Sequence, residues 1–284
     1  MSKLKNWITA WLKKGAVTEE HAQYLKKQRL RDLSILILQI FILIAFFFLW
    51  ELAARYKLIN SFITSQPTRI WVTLAKMVIK GDLWTHIWVT VSETVIGFLS
   101  GTLIGAIVAI ALWWSDYLSQ LLEPYIVVLN AIPKVALGPI FIIWLSNDTP
   151  AIIAMALAIS VIVTIMTLHN GFMEVEENKI KLLLTFGATK FQILKKVILP
   201  ASLPTFFSAL KINVGLSLVG TIVGEFLVSK AGLGYLIIYG GQVFNLSLVM
   251  SSVLILCIVA FLMYYIIALL EKWVVKWNTN SKTE

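Results

Sequence analysis

The chain has 284 residues, of which 59% are hydrophobic and only 14% are charged, and its mean hydropathy is +0.85. Soluble domains carry about 25% charged residues, so this composition excludes an ordinary soluble domain and predicts a membrane protein. The 24 lysines and arginines outnumber the 15 acids, a surplus that the positive-inside rule explains without a nucleic-acid partner. The single cysteine, Cys257, excludes an internal disulfide and a cysteine metal cluster.

Six apolar segments are each long enough to cross a bilayer, which takes about 20 helical residues. None of them shows the period-two alternation of a membrane β-strand, so the sequence predicts an all-α, polytopic helical bundle. The predicted spans cover residues 33–54, 87–114, 124–145, 150–168, 206–225 and 243–270.

The distribution of lysine and arginine predicts which ends of the spans lie in the cytoplasm. With the N-terminus inside, the cytoplasmic segments hold eight basic residues before position 33, five in 169–205 and three after 270. All the outer segments together hold six. We therefore expect both termini in the cytoplasm, a basic tail over 1–32, a transmembrane domain over 33–270 and a second tail over 271–284 of a multi-pass protein in the cell (inner) membrane.

Two of the predicted outer segments are long enough to have structure of their own. The sequence IWVTLAKMVIKG at 70–81 is amphipathic, which is typical of a helix lying along the membrane surface. The apolar, glycine-rich loop at 229–242 is expected to form either a re-entrant turn or a short helix.

The predicted cytoplasmic loop at 171–205 has the pattern of two short helices joined by a glycine. Gly171 is expected to end the fourth span as a left-handed cap, and Gly187 to end the first helix of the loop. Thr189 and Gln192 then form a T-x-x-Q capping box that starts the second helix. Pro200 prevents that helix from continuing.

Both loop helices are too short to be stable alone in water, so a further surface must cover their apolar face. The surface is either the protein's own span ends with lipid headgroups, or another protein, and the residues by themselves favour neither. The expected face consists of Ile180, Leu183, Leu184 and Gly187 in the first helix, and Phe191, Leu194, Val197 and Ile198 in the second.

Small residues recur every fourth position in the second predicted span, at Gly97, Gly101, Gly105 and Ala109. Such a stripe lets another helix approach closely. The contact is expected either within one subunit or across a dimer.

The third predicted span carries a lysine beside helix-breaking residues, with Pro133 and Lys134 followed by Gly138 and Pro139. A broken helix inside a membrane is tolerated only against protein or water. One interpretation is that this segment lines a pathway and that Lys134 faces it. The other is that Lys134 extends towards the cytoplasmic interface.

The fifth predicted span carries Lys211 and ends at Glu225, about 21 Å away along a helix, so these two residues cannot pair directly. Glu225 is expected either to pair elsewhere in the bundle or to face an outer gate on the pathway. Glu93, in the second span, is a candidate partner for a residue of opposite charge in the bundle.

The motifs for metal and nucleotide chemistry are missing from the sequence. The three histidines have no metal-ligand spacing. No Gly-Lys pair occurs, so the chain cannot form a P-loop for nucleotide phosphates. We expect no metal and no cofactor bound to this chain.

The spacing of Gly187, Val197, Leu199 and Pro200 resembles the Gly-x9-Ile-x-Leu-Pro part of a cytoplasmic motif of binding-protein-dependent ABC importer permeases. The flanking sequences NGFMEVEE, LPASLPTFFSALKINVGLSLVGTIVGEFL, AGLGYLI and AIPKVALGPIFIIW are similar to the subgroup that serves sulfonates, taurine and nitrate. The resemblance covers about residues 50–270.

This resemblance implies a type I permease fold that works as a homodimer with two ATP-binding subunits and an extracytoplasmic solute-binding protein. ATP would be bound and hydrolysed by the partner chains, so the chain itself would not be an enzyme. The loop would be the coupling element gripped by the ATPase, and the residues implied are Lys181, Leu184, Gly187, Ala188, Thr189, Phe191, Leu199 and Pro200.

One position departs from the family pattern. Lys181-Leu182-Leu183 stands where the family has Glu-Ala-Ala, so a base replaces an acid and a compensating partner surface is expected.

Two other classes of membrane protein would need different residues in the spans. An ion-coupled secondary transporter would need buried acids, for which Glu93 and Glu225 are the candidates. A membrane enzyme would need a carboxylate or histidine cluster at one face, which the sequence does not show. The solute is expected to be a small anion of the sulfonate, taurine or nitrate kind, or a vitamin precursor.

Overall fold

The computed structural model describes residues 18–145 and 149–275, and these residues form helices and turns with no β-strand among them. The predicted tail residues 1–17 and 276–284 lie outside the described residues. The chain forms two units, one up to Arg69 and one from Ile70 onwards.

In the first unit, helix α1 spans Glu19–Arg55, and the Thr18 side chain caps it by accepting the His21 N–H at 3.2 Å. The helix therefore begins well before the predicted span start at residue 33. Its apolar side chains from Ile35 to Leu49 are mostly exposed, as expected for a helix surrounded by lipid. The short helix α2, Ser61–Thr64, follows.

The second unit contains the remaining helices, apart from the first residues of α3. They are α3 (Pro67–Lys80), α4 (Asp82–Trp114), α5 (Asp116–Ala131), a 3₁₀ turn (Lys134–Leu137), α6 (Gly138–Leu145), α7 (Thr149–Met173), α8 (Glu177–Thr185), α9 (Lys190–Ile193), a π turn (Leu194–Ile198), α10 (Leu199–Ala201), α11 (Leu203–Val228), α12 (Leu233–Gln242) and α13 (Leu246–Val274). The amphipathic segment at 70–81 is helical up to Lys80, and the loop at 229–242 contains a short helix.

The expected all-α membrane bundle is confirmed. Helices α1, α4, α7, α11 and α13 are each long and apolar enough to cross a membrane. A sixth crossing is formed if α5 and the segment Lys134–Leu145 count as one span, and these two pieces meet at an angle of 88°.

The third span is therefore broken, as Pro133 and Gly138 predict, but its first helix starts before the predicted bounds of 124–145. Helix α5 begins earlier, at Asp116, where the Ser115 side chain accepts the Leu118 N–H at 3.2 Å. It ends at Ala131 because Ile132 precedes a proline and is extended, with φ −65° and ψ 132°. Hydropathy detects the apolar run but does not detect the bend.

Helix α7 is the centre of the second unit, packed between α4 and α11. A Cβ on Gly97, Gly101 or Gly105 of α4 would lie within 2.0–2.5 Å of side-chain atoms of α7. A Cβ on Gly220 of α11 would lie 2.7 Å from the Cα of Ala156, also in α7. The stripe of small residues in α4 thus makes its close contact within the chain, because only a missing side chain lets two helix backbones approach so closely.

Polar side chains link the packed helices where two spans meet. Asn213 of α11 donates from Nδ2 to the Thr164 hydroxyl of α7 at 2.5 Å. Lys211 of α11 pairs with Glu271 of α13 at 2.5 Å, consistent with the expectation that Lys211 cannot reach Glu225. Both contacts give a polar side chain a partner on a neighbouring helix.

The expectation that Gly171 ends the fourth span is wrong. Helix α7 continues through it to Met173, and a Cβ at Gly171 would lie 2.6 Å from the Thr205 side chain. The Ser202 hydroxyl donates to the Gly171 carbonyl at 3.2 Å. This glycine is needed for close packing and not for a left-handed turn.

Candidate functional site

The loop between α7 and α11 turns at Gly187, as its sequence predicts. Gly187 has φ +75°, a conformation that glycine adopts without steric cost. Its N–H donates to the Leu184 carbonyl at 2.9 Å, and the Ala188 N–H donates to the Leu183 carbonyl at 3.0 Å. These two bonds form a Schellman motif, which ends α8 and reverses the chain.

The second half of the loop begins with a reciprocal capping box. The Gln192 N–H donates to the Thr189 hydroxyl at 3.3 Å, and the Thr189 N–H donates to the Gln192 side chain at 2.8 Å. One helical turn later the chain widens into the π turn Leu194–Ile198. Helical residues continue through Pro200 to Ala201.

The π turn changes which residues of the second helix face inward. Ile193, Leu194 and Ile198 are buried, whereas Phe191 is exposed. The expected face containing Phe191 is therefore wrong, since a π turn adds one residue and rotates the side chains that precede it. Leu194 and Ile198 face inward as predicted.

One side of the loop packs on the protein's own helices. Ile193, Leu194 and Ile198 join Leu168 and Phe172 of α7 in a single apolar cluster. Other loop residues pack against this cluster, namely Val175, Ile180, Leu183 and Ala188. The two loop helices are thus mounted on the ends of the spans, which overcomes their low intrinsic stability.

A second apolar surface of the loop remains exposed. Phe186, beside the turn glycine, is 79% exposed, and Leu182, Leu184 and Phe191 are also exposed. We name these four residues the apolar rim. The protein's own helices cover one apolar side of the loop, as the first alternative predicted. The rim stays uncovered within the described chain, so it is available to another protein, as in the second alternative.

Lysine 190 links the loop to the end of a span. Its Nζ donates to the Trp114 carbonyl at 2.6 Å and lies 5.6 Å from the centre of the Trp113 ring. Trp114 is the last residue of α4, where the helix dipole favours a positive charge. Lys190 therefore connects the loop to α4 in addition to the cluster on α7.

At the position where the resemblance predicts an acid, Lys181 is exposed and pairs with Glu177 at 3.0 Å in its own helix. A second pair joins Lys179 to Glu176 at 2.9 Å. Exposed pairs of this kind contribute about 0–1 kcal/mol, so both lysines are easily released to a partner.

A groove of about 460 Å³ runs between the two arms of the loop. Lys179 and Lys196 stand on opposite arms of it, and its apolar lining includes Leu182, Leu183 and Pro200. The remaining residues of the predicted coupling set, Leu184, Gly187, Thr189 and Leu199, are exposed, and Ala188 is half-buried. A basic groove next to an apolar rim fits a partner surface that carries both an acid and apolar side chains.

The broken third span places its four predicted pathway residues at the bend. Pro133 separates α5 from the 3₁₀ turn that Lys134 begins, and Gly138 and Pro139 start α6. The Lys134 Nζ donates to the Asn130 carbonyl at 2.6 Å and to the Asn130 Oδ1 at 3.2 Å. Lys134 thus satisfies the end of α5, and a role in a pathway stays a prediction.

Glu225 is enclosed in the bundle, with 1% of its surface exposed. Its Oε1 accepts the Thr90 hydroxyl at 2.6 Å, and its Oε2 accepts the Gly234 N–H at 2.5 Å. The Thr90 hydroxyl oxygen also accepts the Leu233 N–H at 2.8 Å. The carboxylate therefore anchors the N-terminus of α12 to α4, and its role in the pathway stays a prediction.

Several residues at these sites were not predicted as functional from the sequence. Phe186, Lys190, Thr90 and Thr149 belong to this group. Phe186 next to the turn glycine carries a usable signal, because an aromatic residue at a helix end on a polar loop is exposed unless something covers it. Thr90 and Thr149 carry no such signal in the sequence, since only the tertiary structure places their hydroxyl groups next to Glu225 and Glu93.

Comparison with known proteins supports this architecture. Residues 101–279 match the family described as "Binding-protein-dependent transport system inner membrane component". A "Probable ABC transporter permease protein" of Haemophilus influenzae is 33% identical over 64% of this chain and 75% of its own length. The "Putative aliphatic sulfonates transport permease protein SsuC" of Bacillus subtilis is 26% identical over 82% of this chain and 84% of its own.

The fold is also similar to that of a solved transporter. A chain of the MetNI methionine ABC transporter in an inward-facing conformation superposes with a TM-score of 0.62 at 21% identity, covering 68% of this chain and 95% of its own. The family match spans more than half of the chain, and the bundle has the fold expected for it. The chain belongs to the inner-membrane permease components of binding-protein-dependent ABC importers.

Proposed function

We propose that this permease subunit couples to separate ATPase chains through the loop over 174–200 and forms the pathway for a small solute. The observation that carries the proposal is the apolar rim beside a basic groove on a loop that is otherwise mounted firmly on the bundle. A mobile loop could not transmit force, whereas this one is fixed to α7 by the apolar cluster and to α4 by Lys190.

The proposed partner is an ATP-binding subunit present in two copies, one for each permease of a homodimer. Its surface would offer apolar contacts to the rim and an acid to Lys179 and Lys196. This arrangement accommodates the base at Lys181, because the partner supplies the negative charge that the family motif normally carries. A solute-binding protein on the opposite face would deliver the solute.

The proposed pathway runs along the broken third span. Backbone groups freed at Pro133 and in the 3₁₀ turn need polar partners, and a water-filled pathway is one environment that provides them. Lys134 would favour an anion there, in keeping with a sulfonate, taurine or nitrate, or with a vitamin precursor that carries a negative group. Glu225, enclosed here, would meet the solute only after α12 moves away.

Copurification with an ATPase tests the coupling proposal. Gentle extraction from membranes should recover Mg²⁺-ATP-hydrolysing activity with the full-length chain, and Phe186→Glu should reduce it about tenfold or more, since a buried Phe contributes about 1.5–3 kcal/mol. Phe244→Glu is the matched control, because Phe244 is 73% exposed but lies at the predicted outer end of the sixth span. Equal recovery from the two variants would refute docking at the rim.

The solute is tested on the partner binding protein. Calorimetric titration with a sulfonate, taurine, nitrate and a vitamin precursor should give heat with one of the four. Transport of that compound into vesicles should then fall for Lys134→Leu. Normal transport by this variant would remove Lys134 from the pathway.

A further inference from the structure

Two glutamates from different spans are enclosed together at one end of the bundle. Glu93 of α4 is 2% exposed and Glu225 of α11 is 1% exposed. The two carboxyl groups are close enough for the charge of one to act on the other. Neither of them forms an ion pair with any residue in 18–145 or 149–275.

The hydrogen bonds that Glu225 accepts favour its charged form. Each of its oxygens accepts a hydrogen bond, from the Thr90 hydroxyl and from the Gly234 N–H. Gly234 belongs to the first turn of α12, a ten-residue helix, and a helix N-terminus stabilises a negative charge through its free N–H groups and its dipole. A Cβ at Gly232 would lie 2.4 Å from this carboxylate, so the backbone needs glycine there.

Glu93 accepts fewer hydrogen bonds than Glu225 does. Its Oε1 contacts the Thr149 hydroxyl at 3.0 Å. Its Oε2 is buried and accepts no N–H or O–H from the residues that the structure describes, and the Glu225 carboxyl group lies beside Glu93. A buried carboxylate oxygen that accepts no hydrogen bond and lies next to a second carboxylate is costly in a membrane protein.

Other ionisable groups near the pair do not supply the missing positive charge. His86 of α4 accepts the Gly232 N–H at Nδ1, at 2.9 Å, and stacks on the Tyr235 ring. Asp82, at the start of α4, acts on His86 and adds a negative charge. Lys230, in the connection before α12, is exposed.

We propose that Glu93 and Glu225 form a proton-binding site that holds one proton at neutral pH, carried by Glu93. The proton comes from water, no covalent bond other than O–H changes, and the pair keeps a net charge of −1. Protonation removes the repulsion between the two carboxylates and gives the buried Glu93 Oε2 a hydrogen to donate. It leaves the charge on Glu225, where α12 needs it.

This site would make the closure of one end of the bundle depend on pH, independently of the coupling loop. Glu93 contacts the first residue of α7, and Glu225 holds the N-terminus of α12, so four helices meet at the pair. Loss of the proton would place a second negative charge beside the carboxylate that anchors α12. The expected consequence is a weaker attachment of α12 at high pH.

Infrared spectroscopy of the purified full-length protein tests the proposal directly. A protonated carboxylic acid has a carbonyl stretching band that a carboxylate lacks. The wild-type protein should show this band at neutral pH, and Glu93→Gln should remove it. Glu271→Gln is the matched control, because Glu271 is also a glutamate of a spanning helix, α13, but pairs with Lys211, and it should leave the band unchanged. Absence of the band from the wild type, or its survival in Glu93→Gln, would overturn the proposal.

Thermal unfolding against pH is the second measurement, and it works even on the wild-type protein alone. The folded protein would keep a proton that an unfolded glutamate releases above about pH 4.3, so stability falls as pH rises. The expected slope is about 3 °C per pH unit until the site deprotonates. The melting temperature of Glu93→Gln should change less with pH, by that amount per pH unit. A wild-type melting temperature that depends on sodium concentration and not on pH would indicate a bound metal cation in place of the proton and would refute the proposal.

Discussion

The packing of α11 on α7 predicts that alanine will destabilise the bundle at one glycine of α11, Gly220, but not at another, Gly215. In Gly220→Ala, the new Cβ would lie 2.7 Å from the Cα and 3.0 Å from the backbone nitrogen of Ala156. Backbone atoms of a helix cannot rotate away as a side chain can. Gly215, in the same helix, has no atom within 4 Å of its Cβ position, so Gly215→Ala is the matched control.

The loss of stability follows from how far the Cβ–Ala156 distance falls below a normal carbon–carbon contact. Carbon atoms pack at about 3.5–4.0 Å, so α7 would have to move away by about 1 Å over the contact. Such overpacking costs about 1–3 kcal/mol. Replacing glycine by alanine within a helix contributes about 0.5–1 kcal/mol of stability in both variants, so the difference between the two variants isolates the clash.

The assay is thermal unfolding of the two purified variants under identical conditions. Gly220→Ala should melt below Gly215→Ala, by roughly 2–4 °C for each kcal/mol of the clash. If Gly220→Ala melts at or above the control, the two helices are not in backbone contact at Gly220, and the account of the glycines in the bundle core is wrong.

Two further predictions concern the loop and the second polar link between spans. Gly187→Ala should weaken the loop by about 1–2 kcal/mol, because an L-residue pays this in a left-handed conformation, and limited proteolysis should then cleave the loop faster. Gly241→Ala, also in open space but without a positive φ, should not change cleavage, and equal rates would contradict the role of the turn. Lys211→Met and Glu271→Gln should each destabilise the protein, and the double variant should cost about 1 kcal/mol less than their sum; additive losses in melting experiments would mean that the pair contributes no coupling.

The loop explains how force could reach the spans. Its buried side is continuous with α7 and α11 through the apolar cluster, and Lys190 fixes it to the end of α4. These are the three helices whose glycine contacts bring them closest together. Under the proposed coupling, a displacement of the loop would therefore act on α4, α7 and α11 together.

Much of the fold could be predicted from the sequence because it depends on solvent. Lipid requires long apolar helices, so the spans at α4, α7, α11 and α13 follow from the long runs of apolar residues in the sequence. Local rules also predict the loop turn, since Gly187 and the capping box at Thr189 use hydrogen bonds between near neighbours in the chain. The bend in the third span was expected from Pro133, but its angle of 88° depends on packing.

The candidate sites could be predicted only in part. Leu184 and Phe191 were each placed on the apolar face of their own loop helix, yet both are exposed, because a π turn rotates the second helix and α7 covers a different side of the first. Helical periodicity assumes 3.6 residues per turn and cannot detect such an insertion. The exposed rim is what remains after the bundle has covered the other side.

The sequence by itself determined that the chain enters the membrane, how many times its apolar runs can cross, and where the loop turns, since these depend on hydropathy and on contacts between near neighbours. Only the tertiary structure decided that Gly97, Gly101 and Gly105 contact α7 of the same chain and that Glu93 and Glu225 are enclosed together. Residues 132 positions apart in the chain become neighbours only when two helices pack. No local pattern encodes that pairing, because it depends on which faces fit closely enough to exclude lipid.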